Sequence, residues 1–395
     1  MFRERPKLGF ALALTLLIGL AALLRAFPDE FKFRNGGDAV RAMEWSGMVK
    51  DRGLSVYPEL AQLYIKKWVG FSTPTRWGWI GLCALARTLF PHTRDVYTPM
   101  VALAWLSGVL CLLPLAWWLR GKIPDGALLL SLLLCATGPI ERGWSHFPMP
   151  DSLCLLMTLA FFAALASYLE RPSTWTLLLI AFFSAANIAI KETSVIFGVA
   201  GVALVILEHR RSKVFHWKAA LAISLGGVIT ALVTLLLVGG GATLWTLTKL
   251  SLHGAVQSSG AMPYVSGPYF TYLVALMVVS PALMVVALGS YPTVLRATPY
   301  SDAMIQVALV TVVSWLLFSC FTFTLRYVMF VDVGLRVVAA CAVWRLWADS
   351  RKWVALVTLG LLVGHDLALH AAFYGRDQIY DPSIWAMTRQ LRMIP

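Results

Sequence analysis

Long uninterrupted apolar runs, not an alternation of apolar and polar positions, organise this chain. Leu8 to Leu24 is the first, and runs of comparable length recur down the sequence, separated by short polar connections. A run of about 20 apolar residues matches the hydrocarbon thickness of a bilayer. In that solvent the backbone satisfies its own hydrogen bonds, so each run is predicted to be a helix. The boundaries give about eleven spans, at 8–25, 97–119, 125–140, 151–169, 174–189, 194–208, 217–238, 269–289, 303–323, 327–347 and 353–371. Between its ends the stretch 174–208 carries only Lys191 and Glu192 as charges. As one helix it would run about 50 Å, longer than a bilayer is thick. It is therefore read as a hairpin with that pair at its tip.

Two connections are long. Residues 26–96 follow the first span and are rich in charge. In the segment Tyr57 to Trp68, Tyr57, Leu60, Tyr64 and Trp68 fall on one helical stripe, with Glu59, Gln62, Lys66 and Lys67 turned away. That pattern predicts a helix lying in the membrane interface. The second long connection, 240–268, opens at Gly239-Gly240-Gly241 and carries Pro263 and Pro268. Lys and Arg set the orientation. With the N-terminus inside, Arg3, Arg5, Lys7, Arg120, Lys122, Arg171, Arg210, Arg211, Lys213, Lys218, Arg296, Arg345, Arg351 and Lys352 all fall on the inner side. Four outer connections carry one basic residue each: Arg142, Lys191, Lys249 and Arg326. An odd number of spans places the C-terminus outside and both long loops on the outer face.

Composition agrees with residence in a bilayer. Of 395 residues, 59% are hydrophobic and 13% charged, and the mean hydropathy is +0.73. A soluble chain carries about twice that charge. The net charge of +13 is spread between apolar runs, which argues against nucleic acid as a partner. Six cysteines stand singly among apolar residues with no metal-binding spacing, as small buried hydrophobes do. Leu8–Leu24 follows three basic residues as a signal peptide does, but no small-residue cleavage site follows, so it reads as an uncleaved span.

Charge inside or at the ends of spans is expensive and tends to be functional. On the predicted outer side it occurs at Asp38, at Glu141-Arg142 and Asp151, at Lys191-Glu192 and at Arg326, and Asp332 with Arg336 lies within a run. Each has a plain structural reading. Asp38 and Asp151 fit helix starts, and Pro124-Asp125 opens another span just as Pro150-Asp151 does. Lys191 fits an ammonium reaching back to the interface. Asp332 and Arg336 fit an ion pair four residues apart. His146 has no second His or Cys at metal-binding spacing. Together, basic groups at one membrane face suit a phosphate, and a carboxylate beside them suits a base.

The arrangement resembles the GT-C glycosyltransferases, in the branch holding dolichyl-phosphate-mannose protein mannosyltransferases and bacterial aminoarabinose transferases. Met149-Pro-Asp-Ser-Leu-Cys-Leu-Leu-Met-Thr-Leu-Ala-Phe-Phe is similar to their second-loop acid leading into a span. Ala185-Ala-Asn-Ile-Ala-Ile-Lys-Glu-Thr-Ser is similar to their Gly-Leu-Ala-x-x-Thr-Lys segment, with Ile190 in place of Thr. Arg326-Tyr327 resembles a late Arg-Tyr element. The family's first-loop Asp-Glu occurs here as Asp29-Glu30, close to the first span, whereas Asp38-Ala39 lacks the Glu but has the better spacing to the following helix.

The resemblance implies a single all-α transmembrane domain over 1–395, and the chain is expected to depart from the family in having no soluble C-terminal domain. It also implies a polyprenyl-phosphate sugar as donor and a hydroxyl on a glycan, lipid or protein as acceptor. Asp38 is then the expected base, with Asp29 and Glu30 as alternatives, and Asp151 assists or orients the acceptor. Lys191, Arg142, Arg326 and Arg336 are the expected phosphate ligands, since positive charge on the departing oxygens is what a phosphate leaving group needs. Direct displacement inverts the anomeric centre. No carboxylate-rich metal cage is evident, so no cofactor is expected, with a divalent metal left open. Compact size favours a bacterial inner membrane with the site in the periplasm. The rival readings are a lipid-linked glycan ligase or polymerase, a transporter or flippase, and a non-catalytic scaffold.

Overall fold

The computed structural model of the chain describes residues 8–25, 37–66, 73–91, 97–256, 270–296, 301–320 and 325–372. Among the described residues there is no β-strand, only helices, short 3-10 turns and an isolated bridge between Arg120 and Ile123. Among the described residues six helices are long and apolar enough to cross a membrane: Thr98–Leu119, Asp151–Glu170, Glu192–Ser212, Trp217–Leu237, Arg326–Ala348 and Lys352–His370. Leu8–Leu24, Asp125–Thr137, Thr174–Ile190 and Asp302–Phe318 are apolar but shorter. Each predicted span thus has a helix at its position, but six meet the length criterion, or seven if one bent pair counts as a span.

That bent pair corrects the sequence reading. The run 269–289 is not one helix but two, Thr271–Val279 and Pro281–Arg296, meeting at 119°. Ser280 between them has φ −145° and ψ 58°. The residue before a proline is driven from the α region by the ring, and Pro281 is well placed as a first helical residue. A smaller interruption falls at Cys111, where Pro114 lacks the N–H that would bond to the carbonyl of Leu110.

Two further segments differ from expectation. The predicted interfacial helix forms as Tyr57–Lys66, with Tyr57, Leu60 and Tyr64 of its stripe covered by protein, while Lys67 and Trp68 lie outside the described residues. Tyr57, Leu60 and Tyr64 are buried in a cluster with Trp45, Val49, Val56, Ile80, Ala84, Val238 and Leu247. The 240–268 connection begins as a helix, Gly241–Val256, entered through Gly239 and Gly240 at positive φ.

The contacts divide into two compact units, each assembled from separate parts of the sequence. One holds Met1–Ala26, Val109–Gly143 and Tyr264–Pro395. Its central helix is Met329–Ala348, and 89% of the apolar window there is buried, against 22% for Lys352–His370. The other holds Phe27–Gly108 and Trp144–Pro263. There Thr174–Ile190 and Trp217–Leu237 approach closely at Gly226, where a Cβ would lie 2.6 Å from that of Ser184 and 2.7 Å from the Ala181 carbonyl oxygen. Small residues at such crossings let helix backbones meet, which is how helices gain packing energy in lipid. The Ser184 hydroxyl donates to the Ile223 carbonyl at 3.0 Å, and Thr230 donates to that of Ala185 at 3.0 Å.

Candidate functional site

In the second unit, Asp151, Cys154 and Thr158 lie at helical spacing and share one face of Asp151–Glu170. The partners of that face come from the end of Thr174–Ile190 and the turn after it. The Lys191 ammonium donates to Asp151 Oδ1 at 2.5 Å. Cys154 Sγ lies 3.0 Å from Ser194 Oγ, and Thr158 Oγ1 lies 3.3 Å from Asn187 Oδ1. Lys191 and Asp151 are 4% and 3% exposed, so the ion pair sits inside the protein.

The polypeptide breaks at Lys191, as the hairpin reading requires. Its N–H still bonds the Asn187 carbonyl at 2.9 Å, closing the last helical turn, while φ −154° and ψ 116° take the chain out as extended backbone. Glu192–Ser194 then forms one 3-10 turn, and Val195 starts the next helix. This places Lys191 and Glu192 in different surroundings. Lys191 meets Asp151. Glu192 meets Arg76, which donates through Nε to Oε2 and through Nη2 to Oε1, both at 2.9 Å. A two-pronged guanidinium–carboxylate pair fixes orientation as well as position.

Asp38 is the second residue of the helix Gly37–Arg52, in the same unit. Asp29 and Glu30 lie outside the described residues. Asp125 and Asp151 turn out to be first helical residues, with Pro124 and Pro150 in the cap positions. Asp125 is exposed where Asp151 is buried, and the difference is the lysine opposite.

The first unit holds a denser cluster. Arg336 is wholly buried and donates to Asp332 Oδ2 at 2.5 Å, to Asp366, to the Leu134 carbonyl at 2.9 Å and to Ser280 Oγ at 3.4 Å. Glu141 Oε2 lies 3.9 Å from its Nε. Arg25 donates to the Cys135 carbonyl at 3.0 Å. Arg142 donates through Nε and Nη2 to the Leu24 carbonyl, at 3.1 and 2.9 Å. Three arginines therefore close the C-terminal ends of Leu8–Leu24 and Asp125–Thr137, whose last carbonyls have no partner within the helix. A cation there also opposes the negative end of the helix dipole. Burial, helped by the neighbouring Arg25 and opposed by Asp366, pulls Arg142 down to about 10, so it remains a cation at neutral pH. Burial and the neighbouring Asp332 push Glu141 well above the usual carboxylate range against the pull of Arg336.

The structure thus joins Asp151 to Lys191, and Arg336 to Asp332 as the four-residue spacing suggests. It gives Arg142 and Arg336 helix ends to hold. Arg326 is half-buried in the turn Leu325–Val328, its guanidinium 5.7 Å from the Tyr327 ring. Asp366 and Arg76 went unremarked in the sequence. An acid within the apolar run 353–371 was a signal for Asp366, whereas Arg76 is one of several basic residues in 26–96 and its partner lies 116 residues away.

The chain shares its fold with solved structures of an oligosaccharyltransferase and of ArnT. The oligosaccharyltransferase AglB of Archaeoglobus fulgidus, in complex with an inhibitory peptide and a dolichol-phosphate, superposes with a TM-score of 0.63 at 12% identity. The match covers 95% of this chain and 56% of that enzyme, so the chain spans little more than half its length. ArnT of Cupriavidus metallidurans bound to undecaprenyl phosphate superposes with a TM-score of 0.55 at 15% identity, over 97% of this chain and 74% of that one. No protein-family model and no curated sequence matches the chain.

Proposed function

We propose that the protein is a membrane glycosyltransferase that moves a sugar from a polyprenyl phosphate to a hydroxyl acceptor, with inversion, on the outer side of a bacterial inner membrane. The observation that carries this reading is the buried Asp151–Lys191 pair at a helix break, in a chain with the GT-C fold. Two proteins of that fold were crystallised with a dolichol-phosphate and with undecaprenyl phosphate, which favours the same lipid-phosphate class here.

The roles follow from the groups present. In the displacement, the acceptor oxygen forms a bond to the anomeric carbon as the bond from that carbon to the phosphate oxygen breaks. Asp38 takes the acceptor proton, the work of a positioned carboxylate. The polyprenyl phosphate leaves with the electron pair and is stabilised by the Lys191 ammonium. An ammonium has three donors. One N–H is given to Asp151, so that carboxylate fixes the direction of the ammonium. Lys191 is the principal phosphate ligand, with Arg142, Arg326 and Arg336 as further candidates. Stabilisation by a side-chain cation predicts turnover that survives chelation of divalent metals.

The test is release of free polyprenyl phosphate from a panel of polyprenyl-phosphate sugars by the purified protein and its Asp38→Asn variant. Turnover by the wild type and its loss in the variant support both the donor class and the base. Equal turnover by both moves the base to Asp29 or Glu30. No turnover of any donor, with membrane lipids supplied as acceptors, refutes the transferase reading in favour of a ligase or transporter.

A further inference from the structure

The helix Trp77–Leu89 carries an arginine near each end, and the two hold different parts of the same unit. At its start, Arg76 makes the paired bonds to Glu192, the residue after Lys191. Arg76 is 5% exposed. Its own backbone is fixed on both sides, accepting from the Ile80 N–H at 3.0 Å and donating to the Thr73 carbonyl at 3.1 Å. Trp77 Nε1 donates to Thr234 Oγ1 at 3.0 Å. Gly78 lets this helix lie against the end of Thr174–Ile190: a Cβ there would be 3.0 Å from the Ala189 carbonyl carbon and oxygen. Near its far end, Arg87 donates to the Met43 carbonyl at 2.7 Å and to Ser46 Oγ at 3.0 Å, both on the helix Gly37–Arg52. A Cβ on Gly47 would lie 3.0 Å from the same guanidinium, so the two helices are in close contact there.

We infer that Trp77–Leu89 is a splint that sets the register between the helix bearing Asp38 and the turn bearing Lys191, with Arg87 and Arg76 as its positioning residues. The inference rests on the proposed roles of Asp38 and Lys191, and it explains why a first-loop segment is fastened to a turn so distant in sequence. Base and phosphate ligand have to hold a fixed separation for in-line displacement, and a misplacement of about 1 Å costs up to roughly a hundredfold in rate. An interfacial segment tethered by its chain alone could not keep that tolerance. The two-pronged Arg76–Glu192 pair and the two bonds from Arg87 supply it. Arg76 acts on the Lys191 end and Arg87 on the Asp38 end, so their losses have separate signatures.

The experiment compares wild type with Arg76→Ala, Arg76→Lys and Arg87→Ala in detergent, using two readouts. Hydrogen exchange is followed at 37–52 and at 187–195, and kcat and donor KM are measured per folded molecule. Arg76→Ala is expected to speed exchange at 187–195 and leave 37–52 unchanged, with donor KM raised roughly tenfold or more as Lys191 loses its place. Arg76→Lys keeps a cation and recovers part of both effects. Arg87→Ala is expected to speed exchange at 37–52 alone and lower kcat roughly tenfold or more, with donor KM little changed. Exchange rising equally at both segments in either variant, or both variants altering only the folded fraction, overturns the splint. A wild type without transferase activity sinks the functional reading, while the exchange pattern still decides whether the two ends are held separately.

Discussion

The buried cluster around Arg336 gives a quantitative prediction. Its guanidinium is fully enclosed and serves Asp332, Asp366, the Leu134 carbonyl and the Ser280 hydroxyl at once. Replacement by Met preserves much of the side-chain length and removes every donor. Two buried carboxylates then lose their counter-charge and a helix-end carbonyl loses its partner. Removing one member of a buried ion pair destabilises by about 3–5 kcal/mol, because the remaining charge stays desolvated. At about 2 °C per kcal/mol for a larger chain, Arg336→Met is expected to lower the unfolding midpoint by roughly 6–10 °C. The assay is thermal unfolding of purified protein in detergent, with Trp fluorescence as probe. The triple variant Arg336→Met, Asp332→Leu, Asp366→Leu serves as its control. With both carboxylates that accept from Arg336 removed, it is expected to regain most of the loss, since apolar replacement of a buried ion cluster is often neutral or stabilising. A single variant that melts with wild type would show that water reaches the cluster and would falsify the reasoning.

Other outcomes follow from the same structure. Glu141 is protonated more readily in the folded chain than at its ordinary value of 4.5. Its ionisation therefore opposes folding as pH rises above that value. Glu141→Gln should raise stability at pH 7, with the gain shrinking towards pH 4 when urea unfolding is repeated across that range. Gly226→Ala places a Cβ against backbone atoms of Thr174–Ile190 and should destabilise by about 1–3 kcal/mol, measured as a shift in denaturant midpoint at constant m. Lys191→Met strands the Asp151 carboxylate, whereas Lys191→Met with Asp151→Leu does not. The double variant should fold as well as wild type and still fail to release polyprenyl phosphate, and full activity in it would remove Lys191 from the phosphate site.

Much of this architecture was legible because lipid leaves few alternatives. A run such as Trp217–Leu237 carries one charge, Lys218 in its first turn, and little else that could form anything but a buried or lipid-facing helix. The need for a break in 174–208 followed from length, and its place from the lone charged pair Lys191-Glu192. The bend at Ser280 was written in the chain too, in a Ser-Pro step that hydropathy does not register. The sites were less legible, because a charge gains its meaning from what stands opposite. Pro124-Asp125 and Pro150-Asp151 are locally alike, yet one carboxylate is exposed and the other is enclosed against Lys191. Nothing local to Arg142 announces that its side chain reaches the Leu24 carbonyl, 118 residues away. Tyr57, Leu60 and Tyr64 form an amphipathic stripe whether lipid or protein covers it, and here protein does.

The arginine-capped helix ends also bear on the bilayer itself. Leu8–Leu24 has 17 residues and Asp125–Thr137 has 13. At about 1.5 Å per residue these helices are roughly 25 and 20 Å long, against a hydrocarbon core of about 30 Å. Their C-terminal carbonyls are met by arginines, so each helix taken by itself ends short of that thickness. Hydrophobic mismatch of this kind is met by thinning of the surrounding lipid, at a fraction of a kcal/mol per ångström. Thinned lipid beside these two helices would bring the headgroup plane closer to the level of their C-terminal ends.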